Sequence, residues 1–194
     1  MRKISFVTAL ILAFGVFAVA QKTPKTVSDF YMDLPDAYFM PSTMIGGMNA
    51  VRTYRDSIVK VRDDKNGYLR IESPTSEGNA EVAIFKKTDG TYLIAIAQNG
   101  CGPSCSTEQM DVLDYDGGKW TDVKSSVWPT ISESALAAAY TRHKVAKDNR
   151  SGLIVYKLPR VGRTVKAVTG DDDVKEETLF ELTWDGSKFA LVSK

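Results

Sequence analysis

Residues that carry most catalytic chemistry are scarce in this chain of 194 residues. It has one histidine, His143, and two cysteines, Cys101 and Cys105. Nucleophilic hydrolases pair a nucleophile with a base, and the Gly-x-Ser-x-Gly motif that positions such a serine is absent. We therefore predict no catalytic residue, and an enzyme is the less favoured interpretation.

Patterns typical of calcium sites are also incomplete. The acidic segments 114–117 and 170–173 resemble fragments of calcium loops, but neither continues into the twelve-residue pattern that ends in Glu. The first is better explained as a hairpin turn and the second as a solvated loop. The sequence therefore predicts no metal ligand and no cofactor.

Neither sign of charge is in excess. The chain carries 25 Lys and Arg side chains against 24 Asp and Glu, and loss of Arg2 and Lys3 with a cleaved leader leaves 23 against 24. Phosphate backbones and anionic membranes both select a basic patch. The balance therefore argues against a nucleic-acid partner and against a polybasic membrane anchor.

A long apolar run is found at the N-terminus. Arg2 and Lys3 precede an uncharged stretch from Ile4 to Val19, and Ala18-Val19-Ala20 supplies a small-x-small cleavage site. A spanning helix needs about 20 apolar residues, which this run does not reach. We predict a signal peptide over 1–20 and a mature domain over 21–194. This domain is expected in the periplasm or outside the cell, without a membrane span after cleavage.

Most of the mature chain has the pattern of antiparallel strands joined by tight turns. Asn-Gly and Asp-Gly pairs, which tolerate positive φ, separate short alternating runs and indicate hairpins. They are Asn66-Gly67, Asp89-Gly90, Asp116-Gly117 and Asp185-Gly186. The predicted strands cover 57–62, 68–73, 81–86, 91–98, 109–115, 119–123, 152–158, 164–169, 177–184 and 188–192.

Two helices are predicted, each before a set of strands. The first covers 27–40 with Ser28 as its N-cap, although Pro35 interrupts the pattern, and a loop follows over 41–50. The second covers 131–141 with Ser132 as its N-cap. The predicted fold class is therefore α+β, with antiparallel β-meander sheets and two helices.

The two halves of the chain share a short pattern. Residues 113–120 (LDYDGGKW) match residues 182–189 (LTWDGSKF) at a constant offset of 69. One interpretation is duplication of a helix-plus-meander unit, with pseudo-repeats over 26–123 and 131–192. The other is that aromatic-Asp-Gly-x-Lys-aromatic is a favourable hairpin that arose twice.

Cys101 and Cys105 are predicted to form a disulfide, because exported cysteine pairs are usually bridged. The segment CGPSC also suggests a redox motif with one extra residue, but strand-like sequence follows it rather than the helix that lowers a thiol pKa. Copper is a further alternative, because Met40, Met44 and Met48 are soft ligands. Pro41 and Gly46-Gly47 keep those methionines from sharing one helix face.

Four segments of the mature chain are KNGYL (65–69), FKKTDGTYL (85–93), GCGPSC (100–105) and LPRVGRTV (158–165). They resemble segments of uncharacterised exported proteins of Bacteroidetes-type bacteria. The resemblance implies a bacterial periplasmic or secreted setting. It implies no activity and no functional residue.

The sequence favours an exported, non-enzymatic binding or interaction module that uses aromatic side chains to hold a protein or a glycan. The alternative is a redox or metal-handling accessory protein that acts through Cys101 and Cys105. The two differ in where a ligand would bind, since the first needs a surface formed by the folded sheets.

Overall fold

The computed structural model of the chain describes residues 25–38, 48–72, 78–99, 109–145, 154–169 and 176–192. The helices are α1 (Val27–Asp33), α2 (Met48–Ser57), α3 (Lys124–Val127) and α4 (Glu133–Arg142), with a 3-10 turn at Asp36–Tyr38. The strands of the first half are β1 (Val59–Asp63), β2 (Tyr68–Glu72), β3 (Asn79–Lys86), β4 (Tyr92–Asn99), β5 (Gln109–Asp116) and β6 (Lys119–Asp122). Those of the second half are β7 (Ile154–Lys157), β8 (Thr164–Thr169), β9 (Thr178–Trp184) and β10 (Phe189–Val192).

The predicted α+β class is confirmed. Strands β1 to β6 form one antiparallel sheet in chain order, and β7 to β10 form a second. The predicted Asn-Gly and Asp-Gly turns all connect paired strands, and their glycines have positive φ.

Within the described ranges no helix combines the length and the apolar character needed to cross a bilayer. The predicted signal peptide, residues 1–20, lies outside the described residues.

Helix α1 begins at Val27 as predicted, but its N-cap lies two residues before the predicted one and the helix ends sooner. Its N-cap is Thr26 rather than Ser28: the Thr26 hydroxyl accepts the N–H of Asp29, and Asp29 accepts the N–H of Thr26 in return. The helix stops at Asp33 because Pro35 follows, and a residue before proline disfavours helical geometry. Over the described residues 27–38, the predicted helix is thus a helix and a separate 3-10 turn, and residues 39–40 lie outside the described residues.

Helix α2 was not predicted. The expected loop over 41–50 overlaps its first residues, and the strand expected from Ser57 begins two residues later. The side chain of Arg55 anchors this helix, because it is buried against the end of α1 and donates to three carbonyl oxygens there. The acceptors are Tyr31 (3.3 Å), Met32 (3.2 Å) and Leu34 (2.8 Å). Carbonyls at a helix C-terminus are short of donors from their own helix, and that of Tyr31 also accepts the Leu34 N–H at 3.3 Å.

The first sheet has an apolar layer on each of its faces. On the outer face, α1 packs through Val27, Phe30 and Tyr31 onto strand residues such as Ile94 and Ile96. The inner face packs against the second sheet, and residues of both sheets form one buried cluster. Ala95 and Ala97 of β4 lie in that cluster near β7, where small side chains permit a close approach of the two backbones.

Polar contacts fix the two sheets against each other at the ends of their strands. The indole Nε1–H of Trp184 donates to the carbonyl oxygen of Lys86 at 2.8 Å, and the Thr88 N–H donates to the Gly186 carbonyl at 3.1 Å. Arg160 donates to Asp63 at 2.7 Å. The contacts thus join the β7–β8 and β9–β10 connections of the second sheet to the first sheet.

Glu81 of β3 places a carboxylate between the two sheets, with 9% of the residue exposed. Its Oε2 accepts the Leu158 N–H at 2.6 Å, and it also hydrogen-bonds the hydroxyl of Tyr68. Burial of that hydroxyl, and then the charge of Glu81, raises the pKa of Tyr68. The carboxylate thereby links β2, β3 and the end of β7.

The matching segments of the two halves occupy corresponding hairpins. Tyr115 and Trp120 are cross-strand partners whose rings lie 4.9 Å apart, and Trp184 and Phe189 are cross-strand partners with rings 5.0 Å apart. The first half pairs six strands and the second pairs four. Duplication of 26–123 and 131–192 stays a prediction.

We predict that Glu81→Ala lowers the free energy of unfolding by about 3 kcal/mol, because it leaves the Leu158 amide and the Tyr68 hydroxyl buried without their acceptor. Glu81→Gln keeps an oxygen acceptor and should lose less. Urea unfolding followed by circular dichroism measures both. Glu72→Ala is the matched control, since Glu72 pairs with Arg70 at the surface and should lose under about 1 kcal/mol. Equal losses for the two alanine variants would contradict the role given to Glu81.

Candidate ligand-binding cleft

The segment between the sheets, residues 123–132, is short and irregular. The Asp122 carboxylate accepts the N–H of Lys124 at 2.9 Å and starts α3, and the Trp128 N–H donates to the Lys124 carbonyl at 2.8 Å. Trp128 then turns extended (φ −102°, ψ 127°) because Pro129 follows it. Helix α4 restarts the regular structure at its N-cap Ser132, which accepts the Ala135 N–H at 3.2 Å.

The same turn brings the Trp128 side chain onto the end of the shared core. Its ring lies 5.2 Å from that of Tyr156 on β7, nearly perpendicular, and 4.6 Å from that of Phe189 on β10. Edge-to-face and tilted contacts of this kind stabilise aromatic clusters beyond the area that they bury. Trp128 is therefore held by both edge strands of the second sheet while part of it stays exposed.

A cleft of about 720 Å³ opens beside Trp128. We call it the linker cleft, and its lining residues are Asp122, Lys124, Ser125, Trp128, Pro129, Thr130, Ile131, Glu133, Leu136, Ile154 and Tyr156. The apolar and aromatic members form its wall, and the charged and small hydroxyl side chains come from the end of β6, the linker and the start of α4. An apolar wall with a few polar groups is the usual composition of a small-molecule site.

The indole nitrogen of Trp128 is enclosed by the protein. Its Nε1–H is buried and has no hydrogen-bond acceptor among the described residues. An unpaired buried donor costs about 1–3 kcal/mol. An acceptor that reaches this nitrogen, from water or from a ligand, would remove that cost.

Two carboxyl groups lie close together next to the cleft, on the outer face of the first sheet. Leu113 and Asp122 are cross-strand partners, so Asp111, two residues before Leu113, is a diagonal neighbour of Asp122. Burial, and then the negative charge of Asp122, raises the pKa of Asp111; the charge of Lys124 and a hydrogen bond with Gln98 oppose this shift. Asp111 is not part of the cleft lining, so the pair does not place two carboxyl groups around one ligand.

The residues singled out in the sequence do not meet at this site. His143 caps the C-terminus of α4, where its N–H donates to the Ala139 carbonyl at 2.9 Å. It lines a separate groove beside β9 and β10, and the described residues of that groove include no serine or cysteine. Asp116 is the last residue of β5, where the chain turns into β6, as the hairpin interpretation predicts.

Several residues singled out in the sequence lie outside the described residues. This holds for Cys101 and Cys105, for Met40 and Met44, for the side chain of Met48, and for the acidic segment 170–173. In the part of the chain that the structure describes, no three His, Cys, Asp or Glu side chains are placed to hold a metal ion.

Sequence analysis missed Trp128 as a site residue. The Trp-Pro pair marks only a break between two predicted elements, and nothing local indicates that the ring reaches β7 and β10. The one available signal is that a large aromatic residue occurs in a linker with exposed polar neighbours.

No protein-family model and no curated protein matches the chain. Among solved structures, the fold is similar to that of a domain of an uncharacterised protein from Porphyromonas gingivalis W83. The TM-score is 0.53 at 12% sequence identity, over 87% of this chain and 98% of that one. The similarity concerns the fold alone.

We predict that Asp111→Asn raises the melting temperature at pH 7 and leaves it nearly unchanged at pH 3. The pKa of Asp111 is higher in the folded than in the unfolded state, so its ionisation favours unfolding once the pH rises through the folded-state pKa. The variant removes that ionisation, and the difference should therefore grow from acid to neutral pH. Thermal melts across this range measure it. Asp116→Asn, in an exposed turn, should give no such gain; a gain of equal size, or one independent of pH, would contradict the assignment.

Proposed function

We propose that this protein is an exported, non-enzymatic binding module and that its ligand lies in the linker cleft. The observation that carries the proposal is the cleft wall, in which a partly exposed Trp128 is fixed by Tyr156 and Phe189. A recognition side chain that is already held in place loses little conformational entropy on binding. The cleft volume falls within the range of small-molecule sites, about 300–1,000 Å³.

The ligand class that fits best is a neutral glycan. The apolar wall of Trp128, Ile131 and Leu136 suits the C–H face of a sugar ring, as aromatic side chains provide large contact areas with defined geometry. Charges of both signs follow on the polar side, with Asp122 and Glu133 against Lys124. Such a mixed set does not select a strongly charged ligand, whereas it supplies both donors and acceptors to hydroxyl groups.

Two further observations support the proposed location of the protein, in the periplasm or at the surface of a bacterial cell. Residues 1–20 have the three parts of a signal peptide, and the fold resembles a domain from a bacterium of the group suggested by the sequence. An exported glycan-binding module of the periplasm or cell surface agrees with both. The redox or metal-handling alternative rests on Cys101 and Cys105, and no described residue adds to it.

The test is saturation-transfer difference NMR of the mature chain with a panel of neutral oligosaccharides, each at about 1 mM, a concentration that detects even weak specific binding. The proposal predicts a signal for one or more members of the panel. The probes are oligomers of β-linked N-acetylglucosamine, of β-linked glucose and of α-linked glucose. Lys124→Ala combined with Glu133→Ala should weaken binding of the positive probe about thirtyfold, because two lost hydrogen bonds of about 1 kcal/mol each amount to about 2 kcal/mol.

The control is Trp120→Phe, which changes a partly buried tryptophan on the outer face of the first sheet and should keep the affinity, whereas Trp128→Phe should reduce it. Circular dichroism melts verify that each variant is folded. Absence of transfer to every probe, or equal loss in the two tryptophan variants, would overturn the proposal.

A further inference from the structure

The edge strand β10 is short but lacks the charged side chains that discourage an edge strand from pairing with another strand. The edges of the two sheets are β1, β6, β7 and β10. The first three carry charged side chains, including Lys60, Lys119 and Lys157, and lysines on an edge discourage association. Strand β10 consists of Phe-Ala-Leu-Val alone, and among the described residues only β9 pairs with it.

Its last two side chains are exposed although they are apolar. Leu191 is 40% and Val192 41% exposed, and with Val161 they are the large hydrophobic residues most open to solvent in the described part of the chain. Leu191 lies on the inner face, because its cross-strand partner is the fully buried Leu182. The apolar row of the core therefore ends at an edge to which, among the described residues, no further strand is added, and its last two side chains border the groove beside α4.

The hydrogen bonds of the β9–β10 hairpin show which backbone groups point outward. The Asp185 N–H donates to the Lys188 carbonyl at 3.1 Å, and antiparallel pairs alternate between bonded and non-bonded. The pair Trp184 and Phe189 is then non-bonded, in agreement with the Trp184 N–H, which donates away from β10 to Arg163 at 3.0 Å. The amide and carbonyl groups of Phe189 and Leu191 consequently point to the free edge.

We propose that this edge pairs with the β10 strand of a second copy of the chain, antiparallel and about a two-fold axis at Ala190. Phe189 of each copy then lies opposite Leu191 of the other, and each such pair exchanges two hydrogen bonds. Ala190 meets its own counterpart at the closely spaced, non-bonded position, where a small side chain fits. A symmetric contact of this kind is closed and produces a dimer.

Both faces of the extended sheet match in this register. On the inner face, Leu182, Leu191 and Phe189 of the second copy form one apolar row, which covers the exposed Leu191. On the outer face, Glu181 and Val192 of one copy lie in one row across the sheet with Lys188 of the second copy. Two strand spacings put the backbones of Glu181 and that lysine about 10 Å apart, which their long side chains can span, so opposite charges share a row.

The test is sedimentation velocity of the mature chain across a concentration range up to about 0.5 mM, well above the dissociation constants of specific dimers. The proposal predicts a monomer–dimer equilibrium. Leu191→Lys should weaken it about tenfold or more, since it puts a charge into the apolar row. Val161→Lys, at an exposed loop position, is the matched control and should leave the equilibrium unchanged.

Leu191→Pro gives a second variant, because it removes an N–H that faces the free edge and leaves the β9–β10 ladder intact. It should also yield a monomer. In the unmodified chain, hydrogen exchange at the Leu191 amide should slow as concentration rises. A chain that stays monomeric throughout, dissociation by Val161→Lys to the same extent, or exchange at Leu191 that does not depend on concentration would overturn the proposal.

Discussion

The apolar face that the two sheets share determines where everything else in the molecule lies. Its residues come from β2 to β5 on one side and from all four strands of the second sheet on the other. Because β4 presents alanines at 95 and 97, the backbones approach closely, and one buried carboxylate, that of Glu81, satisfies an amide and a hydroxyl that would otherwise be unpaired there. The linker that joins the sheets has to cross the open end of this core.

That crossing connects the fold to the candidate site. The chain leaves β6 at one edge, makes a single turn of helix and becomes extended at Trp128-Pro129, so its one large aromatic side chain covers the end of the core. The polar residues of the linker remain outside. A cleft with an apolar wall and a polar side is therefore a direct consequence of joining two sheets by a short amphipathic segment.

Local signals in the sequence were sufficient for the hairpins and insufficient for what depends on contacts between distant segments. Asp-Gly and Asn-Gly pairs act through backbone conformation, which is a property of a few residues, and Ser132 caps α4 as predicted. Helix α2 is anchored by Arg55, which reaches carbonyl groups more than twenty residues earlier. The linker cleft likewise combines residues 122–136 with 154 and 156, and the position of Trp128 depends on Phe189. Sequence periodicity carries no information on such pairs.

The most direct test of the central claim, that the linker cleft is the binding site, is the response of the three tryptophan indole N–H resonances in a nitrogen-15 NMR titration with neutral oligosaccharides. The account predicts that the Trp128 signal shifts progressively while those of Trp120, on the opposite face, and of Trp184, bonded to Lys86 inside the core, stay in place. A shift confined to Trp120, or no shift of Trp128 with an oligosaccharide that binds, would contradict it.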